Sequence, residues 1–325
     1  MSENNYPPYI SDHGHGEVCM AIPGVVQDGL MFMFAFRADT SRVQQLVDTF
    51  LNQPAKGAVE YAVLGGHVFV SFLKGRLTSS GEVVGYIDDN ECGFWVPLVA
   101  RSGKDGSTRL VFWMPYILID NFEGMVTGRE VWGYHKGVGP VVVPASPSGA
   151  TSFEASTRIF KVFSPETRGV IEPLVRIDRA PGQEQIRAES LYADGQELLQ
   201  AFTQSWLGDS EATAEGKLPI PRWKLLIDVL KLLVHHQVPV VNLKQFRDAK
   251  DGNRACYQAL IEGPLTVTRF GGAGPLLGDF TLNITPCQSH PIAADLGLQL
   301  PAQSRFGLWV RMDFTVEPGQ EVWKA

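Results

Sequence analysis

Residues 58–117 read AVEYAVLGGHVFVSFLKGRLTSSGEVVGYIDDNECGFWVPLVARSGKDGSTRLVFWMPYI. Five short runs rich in β-branched and aromatic residues follow one another here: Tyr61 to Leu64, His67 to Leu73, Val83 to Ile87, Phe94 to Ala100 and Leu110 to Ile117. Between them stand Gly65-Gly66, Ser79-Ser80-Gly81, Asn90 and Lys104-Asp105-Gly106, residue types that tighten a chain into turns. Strand after strand with turn chemistry between them predicts a large antiparallel sheet.

On the N-terminal side, Leu30 to Phe36 is a short apolar run bounded by Gly29 and by Arg37-Ala-Asp39, which suits a buried strand. Thr40 or Ser41 can cap a helix over about 41–52, whose apolar face is Val43, Leu46, Val47, Phe50 and Leu51. Residues 1–17 form a polar arm. On the C-terminal side, residues 150–179 read as further strands. Residues 186–207 and then 219–236 carry apolar residues at helical spacing around a polar linker, predicting a helical insertion at about 186–236. Strands return at Val238 to Leu243, Ala255 to Glu262, Pro264 to Phe270, Asp279 to Ile284 and Phe306 to Val316. The fold class is therefore α+β: one domain over 1–325, a large antiparallel sheet or barrel-like core with a helical insertion.

The bulk numbers narrow the function. The chain has 325 residues, 44% hydrophobic and 19% charged, with a formal net charge of −7 and scattered basic residues. No basic stripe marks it for nucleic acid or an anionic membrane. Leu225 to Val234, the longest apolar stretch, is interrupted by Asp228 and Lys231 and is too short to span a bilayer. The polar N-terminus has no apolar core of a signal peptide. Cys19, Cys92, Cys256 and Cys287 are far apart and match no metal-ligand spacing, so neither a structural zinc nor a disulfide framework is expected, and the cytoplasm is the expected compartment.

Most of the remaining motifs have plain readings. Gly137-Val-Gly139 and Gly271 to Gly278 lack the strand–loop–helix setting of a phosphate loop and read as turns. His13, His15, His235 and His236 read as surface or helix-end residues rather than metal ligands. Ser146-Pro-Ser148-Gly is no nucleophile elbow. Lys136 is different: it follows Trp132, Gly133, Tyr134 and His135. In an apolar, aromatic setting the charged form of an amine is poorly solvated, which favours the neutral nucleophile. From spacing alone, a surface lysine on a turn is the favoured reading.

The segment Gly128-Arg129-Glu130-Val131-Trp132-Gly133-Tyr134-His135-Lys136 resembles the signature of the acetoacetate decarboxylase superfamily, in which Gly-Arg-Glu leads to a Schiff-base lysine. Glu91-Cys92-Gly93-Phe94-Trp95-Val96-Pro97 is similar to the family's Glu-x-Gly-x-x-x-Pro segment, whose Glu is an active-site carboxylate. Val241 to Leu260 looks like its late hairpin. The resemblance covers about 30–180 and 238–290. It implies Lys136 as nucleophile and Glu91 as proton-transfer group, with Arg129, Tyr116, Tyr134 and His135 supporting or lining the site. It further implies no cofactor or metal, a small keto acid or ketone as partner, and a homo-oligomer. Two positions depart from the family's pattern. Gly137 stands where decarboxylases carry a second lysine beside the nucleophile, a role in which an imidazolium at His135 could substitute. Gly29 stands where they carry a substrate-binding arginine. The resemblance implies a decarboxylase of a β-keto acid first, an aldolase–dehydratase working through a pyruvate-type Schiff base second, and a non-catalytic ligand-binding member third.

Overall fold

The computed structural model describes residues 6–10, 19–183, 237–304 and 307–325. The expected helical insertion at 186–236, together with His13, His15, His235 and His236, lies outside the described residues.

In chain order the strands are β1 (Gly24–Arg37), β2 (Val59–Val63), β3 (His67–Ser79), β4 (Ile87–Ser102), β5 (Thr108–Ile119), β6 (Lys136–Val138), β7 (Val141–Val142) and β8 (Ser152–Ile159). They continue with β9 (Val170–Arg179), β10 (Gln237–Arg247), β11 (Ala255–Leu276), β12 (Phe280–Ile284), β13 (Ala302–Ser304), β14 (Gly307–Val316) and β15 (Gln320–Lys324). The larger sheet runs β2-β4-β3-β1-β14-β11-β10-β5-β6, and β4 also pairs with β5. That second pairing closes β4-β3-β1-β14-β11-β10-β5 into a barrel. All the barrel's pairings are antiparallel except β10 with β5, which is parallel over two register pairs, Val240 with Phe112 and Val241 with Trp113. The predicted α+β class with a barrel-like core is the architecture observed.

Side chains alternate across a strand, so the barrel wall has two apolar faces. On β1, Leu30, Phe32, Phe34 and Phe36 point outward into the main core, whereas Met31 and Met33 point inward. A second sheet, β13-β12-β9-β8-β7, covers the outward face. Phe153 of β8 is its anchor, with ring centroids 5.0 Å from Phe32, 5.1 Å from Phe34 and 5.3 Å from Phe72. Phe280 of β12 packs tilted against Phe34, with ring centroids 4.8 Å apart. Each such aromatic pair adds about 0.5–1.5 kcal/mol beyond the area it buries.

Several local expectations are corrected. The helix begins at Thr40 and runs to Val47, then passes into a π-turn over Asp48–Asn52. Its cap is Asp39 rather than Thr40 or Ser41: the Asp39 carboxylate accepts the backbone N–H of Ser41 at 2.9 Å and of Arg42 at 3.4 Å. Val83 to Tyr86 is not a strand. Val83 is fully exposed and Gly85 has φ +83°, so β-branched residues without a partner strand leave their propensity unused. Asn90 is no turn but lies inside β4. Ala255 to Glu262 and Pro264 to Phe270 are halves of one strand that runs through Pro264 and on through Gly271–Gly274. That glycine cluster is strand because β14 pairs with it, Gly272 facing Arg311 and Gly274 facing Trp309. Gly137 is likewise in β6, opposite Leu118.

Candidate active site

The barrel interior holds a cavity of about 320 Å³. Its walls are apolar: Phe69 and Leu73 from β3, Phe112 and Met114 from β5, Leu308 and Val310 from β14 are representative. Five of the chain's seven methionines (Met20, Met31, Met33, Met114 and Met312) line it. Charge enters at one place. Among the described lining residues the ionisable groups are Asp89 and Glu91 of β4, Lys136 of β6 and the Tyr134 phenol. Lys136 is the one cation among them.

Lys136 reaches this chamber because of the segment before it. The helix Phe122–Thr127 continues as a π-turn, Gly128–Trp132, which ends at Gly133 with φ +80°. A Cβ at Gly133 would stand 2.5 Å from Lys244 Cα, so the chain can turn toward β6 only with glycine there. A Cβ at Gly128 would stand 2.9 Å from Lys136 Cε, so the glycine that opens the Gly-Arg-Glu motif is the floor on which the lysine's methylenes lie. Arg129 Nη1 donates to the Lys136 carbonyl at 3.3 Å and steadies the backbone from outside. The Lys136 ammonium then donates to Glu91 Oε2 at 2.6 Å, with side-chain exposures of 13% and 16%. Its Nζ lies 5.7 Å from the centroid of the Tyr134 ring. Burial pushes the Tyr134 phenol well above its ordinary range, and the charge of Glu91 adds to this, so the ring stays neutral.

Asp89 is the site residue that the sequence reading missed. It is 4% exposed, two residues before Glu91 on the same strand face. Burial first and the Glu91 charge second raise its pKa, with Lys136 opposing them, to about 6. Asn121 positions it: the amide Nδ2 donates to Asp89 Oδ1 at 2.8 Å, while Asn121 Oδ1 caps the Phe122–Thr127 helix through Gly124 N–H at 2.7 Å. Next to it, Asn90 donates through Nδ2 to Asp120 Oδ2 at 2.6 Å. The i, i+2 spacing of Asp89 and Glu91 was the available signal, but Ile-Asp-Asp-Asn reads locally as a turn.

Of the residues predicted for the site, Lys136, Glu91 and Tyr134 come together in the chamber, and Tyr116 and His135 do not. The latter two face a smaller pocket behind β6, shared with Phe50, Trp113, Arg129 and His290 and bordered by Lys136 itself. The Tyr116 hydroxyl donates to Asp295. Burial lowers the His135 pKa to about 4, with Arg129 adding to the shift. The ring is therefore neutral near pH 7, so it is no imidazolium and cannot stand in for a second lysine. Gly29 lies at a register shift of β1, where a Cβ would meet the Met312 carbonyl at 2.5 Å. Arg109 is paired with Glu262 and Arg101 is exposed. Neither they nor Arg129 line the chamber.

No family model matches the sequence, and no curated protein matches it. Solved structures do match. Acetoacetate decarboxylase from Legionella pneumophila aligns at a TM-score of 0.57 and 15% identity, over 98% of this chain and 92% of that one. A second acetoacetate decarboxylase structure aligns at 0.58 and 12%, over 97% and 96%. The enduracididine biosynthesis enzyme MppR, solved with pyruvate, aligns at 0.54 and 15%, over 96% and 95%. The chain has the acetoacetate decarboxylase fold, the fold that the residues around Lys136 resembled. Among the described residues no helix is long and apolar enough to cross a membrane.

Proposed function

We propose that this chain is a lysine-dependent lyase that forms an imine with a keto acid, acting as a decarboxylase of a β-keto acid. The observation that carries the reading is the Lys136 Nζ placed 2.6 Å from Glu91 Oε2 in an otherwise apolar chamber. Moving the ammonium proton to Glu91 along that hydrogen bond frees the nitrogen lone pair. The amine adds to the keto carbon, and the carbinolamine loses water to give an iminium. The bond from the α-carbon to the carboxylate then breaks and CO₂ leaves. Its electron pair moves through the α-carbon to the iminium nitrogen, forming an enamine. Glu91 gives the proton it took to the hydroxyl that departs as water in iminium formation. The proton that later adds to the enamine carbon is taken up from solvent through Glu91, and hydrolysis of the resulting iminium releases the ketone and regenerates the Lys136 ammonium. Asp89 and Glu91 set negative charge around the spot where the substrate carboxylate would stand. That charge favours a product in which the carboxylate has become neutral CO₂.

A second reading, an aldolase–dehydratase, is favoured by one feature: Asp89, with a pKa of about 6, is a carboxyl that can both give and take a proton near neutrality. MppR, of the same fold, is described with pyruvate.

Incubation with acetoacetate or pyruvate and borohydride, followed by mass spectrometry, tests the lysine. The expected result is a reduced adduct on Lys136 that Lys136→Ala abolishes; no adduct with either compound overturns both readings. CO₂ release from acetoacetate, against condensation of pyruvate with an aldehyde, separates the two.

A further inference from the structure

The chamber is larger and more apolar than the reacting part of a short keto acid needs. Its charged groups come from β4 and from β6, next to β5. Around the barrel, β14 stands three strands from β4 through β3 and β1, so it forms the opposite wall. That wall presents Leu308, Val310, Met312, Phe314 and Val316 to the interior. The polar Ser71 in the lining is already engaged, accepting from Trp95 Nε1 at 2.8 Å. A volume of about 320 Å³ falls within the range of small-molecule sites, roughly 300–1,000 Å³. Apolar walls around such a space lack packing partners on one side until an apolar group enters. The methionines on several strands suit this, because flexible thioethers repack around chains of different shape.

We propose that the substrate carries its carbonyl on an apolar tail: a medium-chain 3-oxo acid or its methyl ketone product, with the carbonyl at Lys136 and the alkyl chain against β14. This deepens the proposed function and rests on Lys136 as the imine-forming group.

The test uses the full chain and a series of neutral ketones: acetone, 2-pentanone, 2-heptanone and 2-undecanone. Borohydride trapping on Lys136 is followed as a function of ketone concentration, and binding without borohydride is followed by calorimetry. The expected result is a half-saturating concentration that falls about fourfold with each added methylene until the tail meets the far wall. Val310→Phe, which shortens the space at β14, is expected to flatten the series. A series that is flat, or that weakens with length, while acetone is still trapped overturns the tail and leaves the lysine chemistry standing. Calorimetric binding that strengthens with length without any adduct supports the tail and overturns only the imine. An unchanged series in Val310→Phe overturns the placement of the tail against β14.

Discussion

On its even-numbered side β1 sets Phe32, Phe34 and Phe36 into a dense aromatic core, and on its odd-numbered side the same strand sets Met31 and Met33 around a cavity. Strands β3 and β4 divide in the same way: Phe72 and Phe94 face outward, and Leu73, Asp89 and Glu91 face inward. The outward face is filled by stiff rings held 4.8–5.3 Å apart. The inward face mixes methionines and aliphatic chains with rings such as Phe69, Phe112 and Phe314 around open space, and it carries the buried charge. One wall thus separates stability from chemistry. Substitutions on the two faces should have different consequences, and the following measurements can break that separation.

The largest effect belongs to the inner face. Glu91→Gln keeps the shape but cannot take a proton, and should reduce the rate of imine formation by about 10²–10⁴-fold while leaving the melting temperature near that of the wild type. A rate close to wild type would remove Glu91 from proton transfer. The outer face should answer in stability instead. Phe153→Ala deletes the ring shared by Phe32, Phe34 and Phe72 and is expected to cost about 3–5 kcal/mol in urea denaturation. Met33→Leu on the inner face should cost less than about 1.5 kcal/mol. Equal costs would mean that the chamber wall is packed as tightly as the aromatic core.

Asp89 gives a smaller, pH-dependent effect. Its folded pKa of about 6 lies above the ordinary carboxyl value of 3.8, so the folded state holds the proton more tightly. The stability it contributes is present in acid and is lost as pH rises from about 4 to about 6, by at most about 3 kcal/mol. Asp89→Asn keeps an oxygen for Asn121. It should abolish this slope and be more stable than wild type at pH 7, as read from urea midpoints across pH 4–7. A parallel pair of pH profiles would argue against a buried, proton-holding Asp89. The smallest effect is expected at His135. With a pKa of about 4 the ring is already neutral, so His135→Gln should leave the pH dependence of lysine trapping unchanged between roughly pH 6 and 8. A shift in that dependence would restore His135 as a charged neighbour.

Much of the fold was legible because hairpins are local. Gly65-Gly66 and Lys104-Asp105-Gly106 do separate strands, and the expected hairpin of Val241 to Leu260 is the antiparallel β10–β11 pair. The errors arose where propensity and tertiary pairing disagree. Val83 to Tyr86 has strand composition but no neighbour, and Gly271–Gly274 has turn composition but is paired with β14. The site was partly legible: Lys136 and Glu91 came from the resemblance, and Tyr134 from its place beside the lysine. Tyr116 and His135 line the second pocket, which Lys136 also borders, and which side of its strand each faces is not carried by the linear pattern.

Lys136 is where the two kinds of information meet. The sequence by itself determined that Lys136 follows Gly128 and Gly133, and the structure shows why Gly133 is needed: a side chain there would meet the Lys244 backbone. It also determined the alternation that gives β1, β3 and β4 two apolar faces. Only the tertiary structure decided which face encloses the chamber, since that depends on β4 pairing with β5 and on β10 meeting β5 in parallel, contacts between residues far apart in the chain. The same closure brings Glu91, 45 residues away in sequence, to within 2.6 Å of the Lys136 amine and buries Asp89 beside it. The number of strands between two groups, which a linear pattern does not carry, sets both that meeting and the apolar wall opposite it.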